Sequence, residues 1–166
     1  MKKLILIAAA STVFATPAMA EPGNTDQATG RATAEVVAPI TIIHDTGAVL
    51  NFGTFTAGTA AGSVTVTQGG VPSATGDAVH VATSTSSADS FTVYGDGGRS
   101  FDIVAAGGSV SEAGGASMTF TTDAPGTGTI GAGGSTGFSV GGTLSVNANQ
   151  APGVYVGSYV VTATYN

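Results

Sequence analysis

The chain has no cysteine and no tryptophan, and only four Lys and Arg among its 166 residues. Without cysteine there is neither a disulfide framework nor a thiolate nucleophile, so stability has to come from packing and backbone pairing. Helix-forming composition is equally scarce. Gly supplies 26 residues, and Ser, Thr, Val and Ala fill most of the remainder. Interior Gly costs a helix about 1 kcal/mol relative to Ala, and β-branched residues favour strands, so long helices are not expected. Charged residues make up 8% of the chain, with a formal net charge of −6. That balance repels nucleic acid and anionic lipid.

What is present begins with Lys2 and Lys3, followed by an apolar run from Leu4 to Ala10 that resumes at Val13 to Ala15. With the small-residue site Ala18-Met19-Ala20, this reads as a secretory signal peptide over residues 1–20. Its apolar stretch is too short to span a bilayer as a permanent helix. The mature chain is expected to start at Glu21, to cross the inner membrane, and to pass through the periplasm to the cell surface or medium. It keeps two cations, Arg31 and Arg99, against ten carboxylates, and no transmembrane segment. Its length suits one domain, able to bury roughly 68–70% of its unfolded surface.

Residues 21–27 read as a polar, flexible leader, and 28–166 as a single domain. Strict alternation starts at Ala28: Ala28, Gly30, Ala32, Ala34 and Val36 share one face, and Thr29, Arg31, Thr33 and Glu35 the other. This predicts an amphipathic strand with small apolar side chains, interrupted at Ala38-Pro39. Further strands are expected around Ile40 to Ile43, Leu50 and Phe52, Val64 and Val66, Val79 and Val81, Phe91 and Val93, Phe101 and Ile103, and Met118 and Phe120. Phe138 and Val140 come before a Gly141-Gly142 break, and Leu144 and Val146 after it. Gly95 to Gly98 predicts a hairpin, and Ala124 to Gly137 a long surface loop. The chain ends inside a strand, with Tyr155, Tyr159, Val161, Ala163 and Tyr165 on one face. Eight to ten short strands with Gly and Pro punctuation predict an all-β fold, an antiparallel immunoglobulin-like β-sandwich, with a closed barrel as the structural alternative. This regular alternation argues against disorder of the whole chain.

Motifs that carry chemistry elsewhere lack their context. Gly133 to Gly137 fits G-x-S-x-G around Ser135, yet no helix is expected after it to form a nucleophile elbow. Gly126 to Gly131 fits G-x-G-x-x-G without a βαβ setting. His44 is placed in a turn, and His80 on a strand facing solvent, opposite Val79 and Val81. Two separated imidazoles do not make a metal site. Asp89, Asp96 and Asp102 read as turn residues. No catalytic residue, no metal site and no cofactor is expected.

LNFGTF at 50–55, VVAPITI at 36–42, GSVTV at 62–66, FSVGGTLSV at 138–146 and PGVYVGSYVVTATYN at 152–166 together resemble a family of uncharacterised bacterial secreted domains. That family is similar to chaperone-usher fimbrial subunits and to spore-coat-U-like secreted proteins. The resemblance implies a sandwich lacking one strand, completed by the N-terminal extension of a neighbouring subunit through strand addition. It implies a donor strand at Ala28, Gly30, Ala32, Ala34 and Val36, and a groove bordered by Tyr155, Tyr159, Val161, Ala163 and Tyr165. It further implies self-association into a surface fibre, with a periplasmic chaperone and an outer-membrane usher as partners. The alternative is a monomeric, self-complemented secreted β-domain with a binding or coat role.

Overall fold

A computed structural model describes residue 23 and residues 25–166. The signal peptide expected at 1–20, and Glu21, Pro22 and Asn24 of the expected leader, lie outside the described residues. The chain divides into two units at Glu35/Val36. In the first, residues 25–35 are exposed and belong to no strand. The alternation that predicts a strand from Ala28 to Val36 is therefore not matched by a ladder within this chain.

The second unit holds the strands. In chain order they are β1 (Thr41–His44), β2 (Phe55–Thr56), β3 (Gly62–Val66), β4 (Pro72–Gly76), β5 (Val79–His80), β6 (Asp89–Tyr94) and β7 (Ser100–Ala105). There follow β8 (Gly108–Ser111), β9 (Ser117–Asp123), β10 (Thr127–Thr129), β11 (Ser135–Val146), β12 (Val156–Ser158) and β13 (Val161–Tyr165). Among the described residues there is no helix. Every ladder is antiparallel, and the fold is an all-β sandwich.

β11 organises it. The first half of this strand pairs with β6, which pairs in turn with β1. Its second half runs between β9 and β3, and that ladder continues through β4 on one side and through β8 and β12 on the other. β7 lies between β10 and β13 in a separate three-stranded sheet, and β2 pairs with β5 alone. The expected break at Gly141-Gly142 does not occur, because β11 is one strand of 12 residues. A Cβ on Gly141 would collide with the carbonyl oxygen of Val66, and one on Gly142 would lie 2.6 Å from that of Thr121. These glycines let neighbouring backbones press close, which is a strand role as well as a turn role.

Two side-chain clusters form the interior. The first gathers Val64 and Val66, Met118 and Phe120, and Leu144 and Val146, each pair two residues apart on its strand, together with Phe52 and Ala78. Their spacing is the period of two that puts alternate residues on one face. The second cluster gathers Val93, Phe101, Ile103 and Ile130.

Four further expectations are corrected. Gly95 to Gly98 does not join hairpin partners, since β6 pairs with β1 and β11 while β7 pairs with β10 and β13. The turn instead carries the chain from one sheet to another. Residues 124–137 are not a loop throughout: they include β10, with Ile130 only 1% exposed behind it. Gly128 lies against the Phe101 ring, where a Cβ would come within 2.5 Å of Cζ, so the glycine that suggests a loop is what the packing requires. Around His80 the faces are reversed, with Val79 61% exposed and the imidazole half-buried. The register Phe55↔His80 and a 3.0 Å hydrogen bond between His80 Nε2 and Ser86 Oγ fix that orientation. Finally, the C-terminal strand is split. β12 pairs with β8, whereas β13 pairs with β7 in another sheet.

Candidate functional site

The first cluster is open along one side. Segments 48–57 and 150–159 flank a groove of about 970 Å³, whose floor includes Phe91, Val110, Met118, Phe120 and Leu144. Each flank contains a strand with a neighbour on one side only: β2 has β5, and β12 has β8. Such an edge is a template for another extended chain. The 48–57 flank is fixed from behind by the Asn51↔Ser87 bridge and by Ser87 Oγ, which donates to the Val49 carbonyl at 2.7 Å. Asn51 Oδ1 also accepts from the Gly53 N–H, and Gly53 takes a positive φ of 76° there. That conformation suits a residue without Cβ.

Of the groove's lining residues only His44 and Asp89 bear titratable acid or base groups, apart from the tyrosines. Asp89 is 5% exposed at the head of β6. Its Oδ1 lies 2.7 Å from His44 Nε2 and accepts the Ser90 N–H at 2.9 Å, while Oδ2 accepts the Tyr159 hydroxyl at 2.8 Å. Burial, and then the hydrogen bond and charge of Asp89, push the Tyr159 phenol far above its ordinary value. It therefore stays a proton donor at any physiological pH. The Tyr159 ring meets Phe91 and Phe120 edge-on, with centroids 6.2 and 5.9 Å away. Elsewhere along the same flank the Tyr155 hydroxyl donates to the Ala151 carbonyl and accepts from Gln150.

The structure divides the residues expected to border the groove. Tyr155 and Tyr159 line it. Val161, Ala163 and Tyr165 instead pack against the second cluster, because the chain changes sheets between Ser158 and Val161. The Tyr165 hydroxyl accepts the Asp96 N–H at 2.7 Å and donates to the Ala38 carbonyl at 3.0 Å. On the donor side, Ala28, Gly30, Ala32 and Ala34 are exposed in the first unit, and Val36 is 96% exposed. The sequence alone did not reveal the 48–57 flank or the buried role of Asp89. A signal for the latter was available, since Asp89 shares its parity with the inward-facing Phe91 and Val93. Ser135 opens β11 on the exposed side, with no helix behind it.

Among the described residues no three His, Asp or Glu side chains gather into a metal-binding group. No described helix is long and apolar enough to cross a membrane. The arrangement offers apolar surface, two strand edges and one buried polar anchor.

No curated protein and no solved structure matches the chain. A family profile does, over residues 40–165, which spans both clusters and the whole groove. The chain thus belongs to the family described as Domain of unknown function (DUF4402).

Proposed function

We propose that this protein is a non-enzymatic structural subunit of a bacterial surface fibre, joined to its neighbours by strand addition. The observation that carries the reading is the apolar groove flanked by two single-partnered strands, β2 and β12. The segment offered to fill it is 28–36 of a second copy, which has no ladder in its own chain and, once extended, would present Ala28, Gly30, Ala32, Ala34 and Val36 on one uncharged face. Backbone hydrogen bonds would supply affinity, and alternate side chains would enter the groove. Each Ala buries little area, so at about 25 cal/mol per Å² the joint is weaker than one built from Val or Ile. A head-to-tail joint of this kind gives an open filament when its rotation does not close. Export, periplasmic chaperoning and assembly at an outer-membrane usher belong to the same proposal, as does kinship with fimbrial and spore-coat-U-like proteins.

The test is a gel of the mature protein run without boiling. A ladder of multimers that disappears when residues 25–36 are deleted supports the fibre. A monomer at high concentration with one cooperative melt overturns it. Trypsin gives a second readout, because Arg31 lies in the exposed segment while Arg99 is held to Asp96 at 2.9 Å. Cleavage after Arg31 in the monomer, and protection in the multimer, is the expected pattern.

A second reading has its own support. The groove's volume, about 970 Å³, is within the range of small-molecule pockets. A monomeric secreted domain that binds an apolar ligand would use the same floor. Binding of an apolar fluorescent dye that peptide 25–37 fails to displace would favour it.

A further inference from the structure

The two flanks of the groove are secured in different ways. Residues 48–57 are held by pairing to residues 79–87. Residues 150–159 have the three-pair ladder of β12 with β8 on their outer side. On the inner side their attachment to the β1–β6 region is the Tyr159 hydroxyl, bonded to Asp89. Asp89 in turn is bonded to His44 of β1 and begins β6, two residues after Ser87, which holds the opposite flank. The chain Tyr159–Asp89–His44 therefore ties the 150–159 flank to the framework that fixes the other one. It borders the groove, and the Tyr159 ring stands edge-on to Phe91 and Phe120 on the floor.

We infer that the Tyr159–Asp89 hydrogen bond is a spacer that sets the groove's width before any strand enters, so that Tyr159 is a positioning residue for strand docking. This inference rests on the strand-addition reading of the groove. Docking to a site already held open avoids the cost of ordering it during association. Asp89 is suited to hold such a spacer, because its burial makes a lost partner costly and its three hydrogen bonds come from β1, from β6 and from the linker between β12 and β13. Two titratable groups face Asp89, namely His44 and Tyr159. The neighbouring Asp45 carboxylate is engaged by Ser90 and Thr92 instead.

The experiment compares the mature wild-type chain with Tyr159→Phe, which keeps the ring and removes the hydroxyl. Thr122→Val is the control, since it removes a hydroxyl bonded to the Ala105 carbonyl at 2.7 Å away from the groove. Amide exchange and assembly rate are both measured. With the spacer cut, exchange at residues 153–158 should accelerate about tenfold, the equilibrium weight of one charge-assisted hydrogen bond, while the β3–β11 ladder stays as protected as in the control. Assembly, read by light scattering and by the gel ladder, should slow by a similar factor, whereas Thr122→Val assembles at the wild-type rate. Unchanged exchange at 153–158, or exchange raised equally by both variants, overturns the spacer whether or not the protein assembles. A wild type that neither assembles nor binds peptide 25–37 overturns the strand-addition reading itself, and then exchange alone judges the spacer.

Discussion

The two side-chain clusters share β11 and differ in how the end of the chain covers them. Over the second cluster β13 runs five residues along β7, placing Val161, Ala163 and Tyr165 on the interior, and the Tyr165 hydroxyl bridges Asp96 to Ala38. Over the first, β12 provides three residues along β8, with Val154 and Val156 turned outward at 84% and 72% exposure. A full ladder closes one cluster, and a short one leaves the other grooved. Openness thus follows from where the chain crosses between sheets. It does not reflect a shortage of apolar residues, since the open cluster is the larger of the two.

The sharpest way to break this comparison is to empty each cluster in turn. Phe101 is fully buried in the closed one, so Phe101→Ala should cost about 3–5 kcal/mol in urea unfolding. Phe55 is half-buried on the groove's flank, and Phe55→Ala should cost the monomer less than half as much while weakening multimers strongly. Equal losses in the monomer would mean that the groove is closed in solution. Next in size are changes to the shared strand. Gly142→Ala sets a methyl 2.6 Å from the Thr121 carbonyl oxygen, and a forced backbone shift should cost roughly 1–3 kcal/mol by thermal melting. Gly133→Ala meets nothing within 4 Å and should leave the melting temperature unchanged. A tolerated Gly142→Ala would show that β11 is not tightly held between β3 and β9. Tyr165→Phe is milder still, at about 1 kcal/mol for its hydrogen bonds, read by the same melt. Its loss should speed amide exchange at Asp96 without altering exchange at 153–158.

The same contrast explains what the sequence made legible. Strands with Val, Phe and Ile at alternate positions, such as Val64 and Val66 or Phe101 and Ile103, are plain because burial on one face forces that spacing. Glycine misleads in both directions. Gly141-Gly142 reads as a break but serves close packing, and Gly128 reads as loop but accommodates the Phe101 ring. Which sheet a strand joins is not written locally. Residues 155–165 keep one apolar register, and only long-range pairing with β8 or β7 decides that Tyr155 and Tyr159 border the groove whereas Val161, Ala163 and Tyr165 seal the other cluster. The alternation at 28–36 is equally plain, yet that segment joins no ladder within the chain.

The smallest effect concerns the outer side of β6, where Asp45 clips β1 in place and so helps Ile42 cover the closed cluster. Its Oδ2 accepts the Ser90 hydroxyl at 2.7 Å and its Oδ1 accepts that of Thr92 at 2.8 Å. These two bonds, Ser90 first, hold its carboxyl below the ordinary 3.8, with the His44 charge adding slightly in the same direction. A folded-state value below the unfolded one means a contribution that is complete above the unfolded value and is lost as pH falls through the folded one. NMR titration should therefore place the Asp45 midpoint below that of a free aspartate. Ser90→Ala should raise it more than Thr92→Ala does, and acid should loosen β1 before it affects β3, β9 or the second half of β11. An Asp45 midpoint at the ordinary value, unmoved by Ser90→Ala, would remove the clip and with it the reason for β1 to loosen ahead of the other strands in acid.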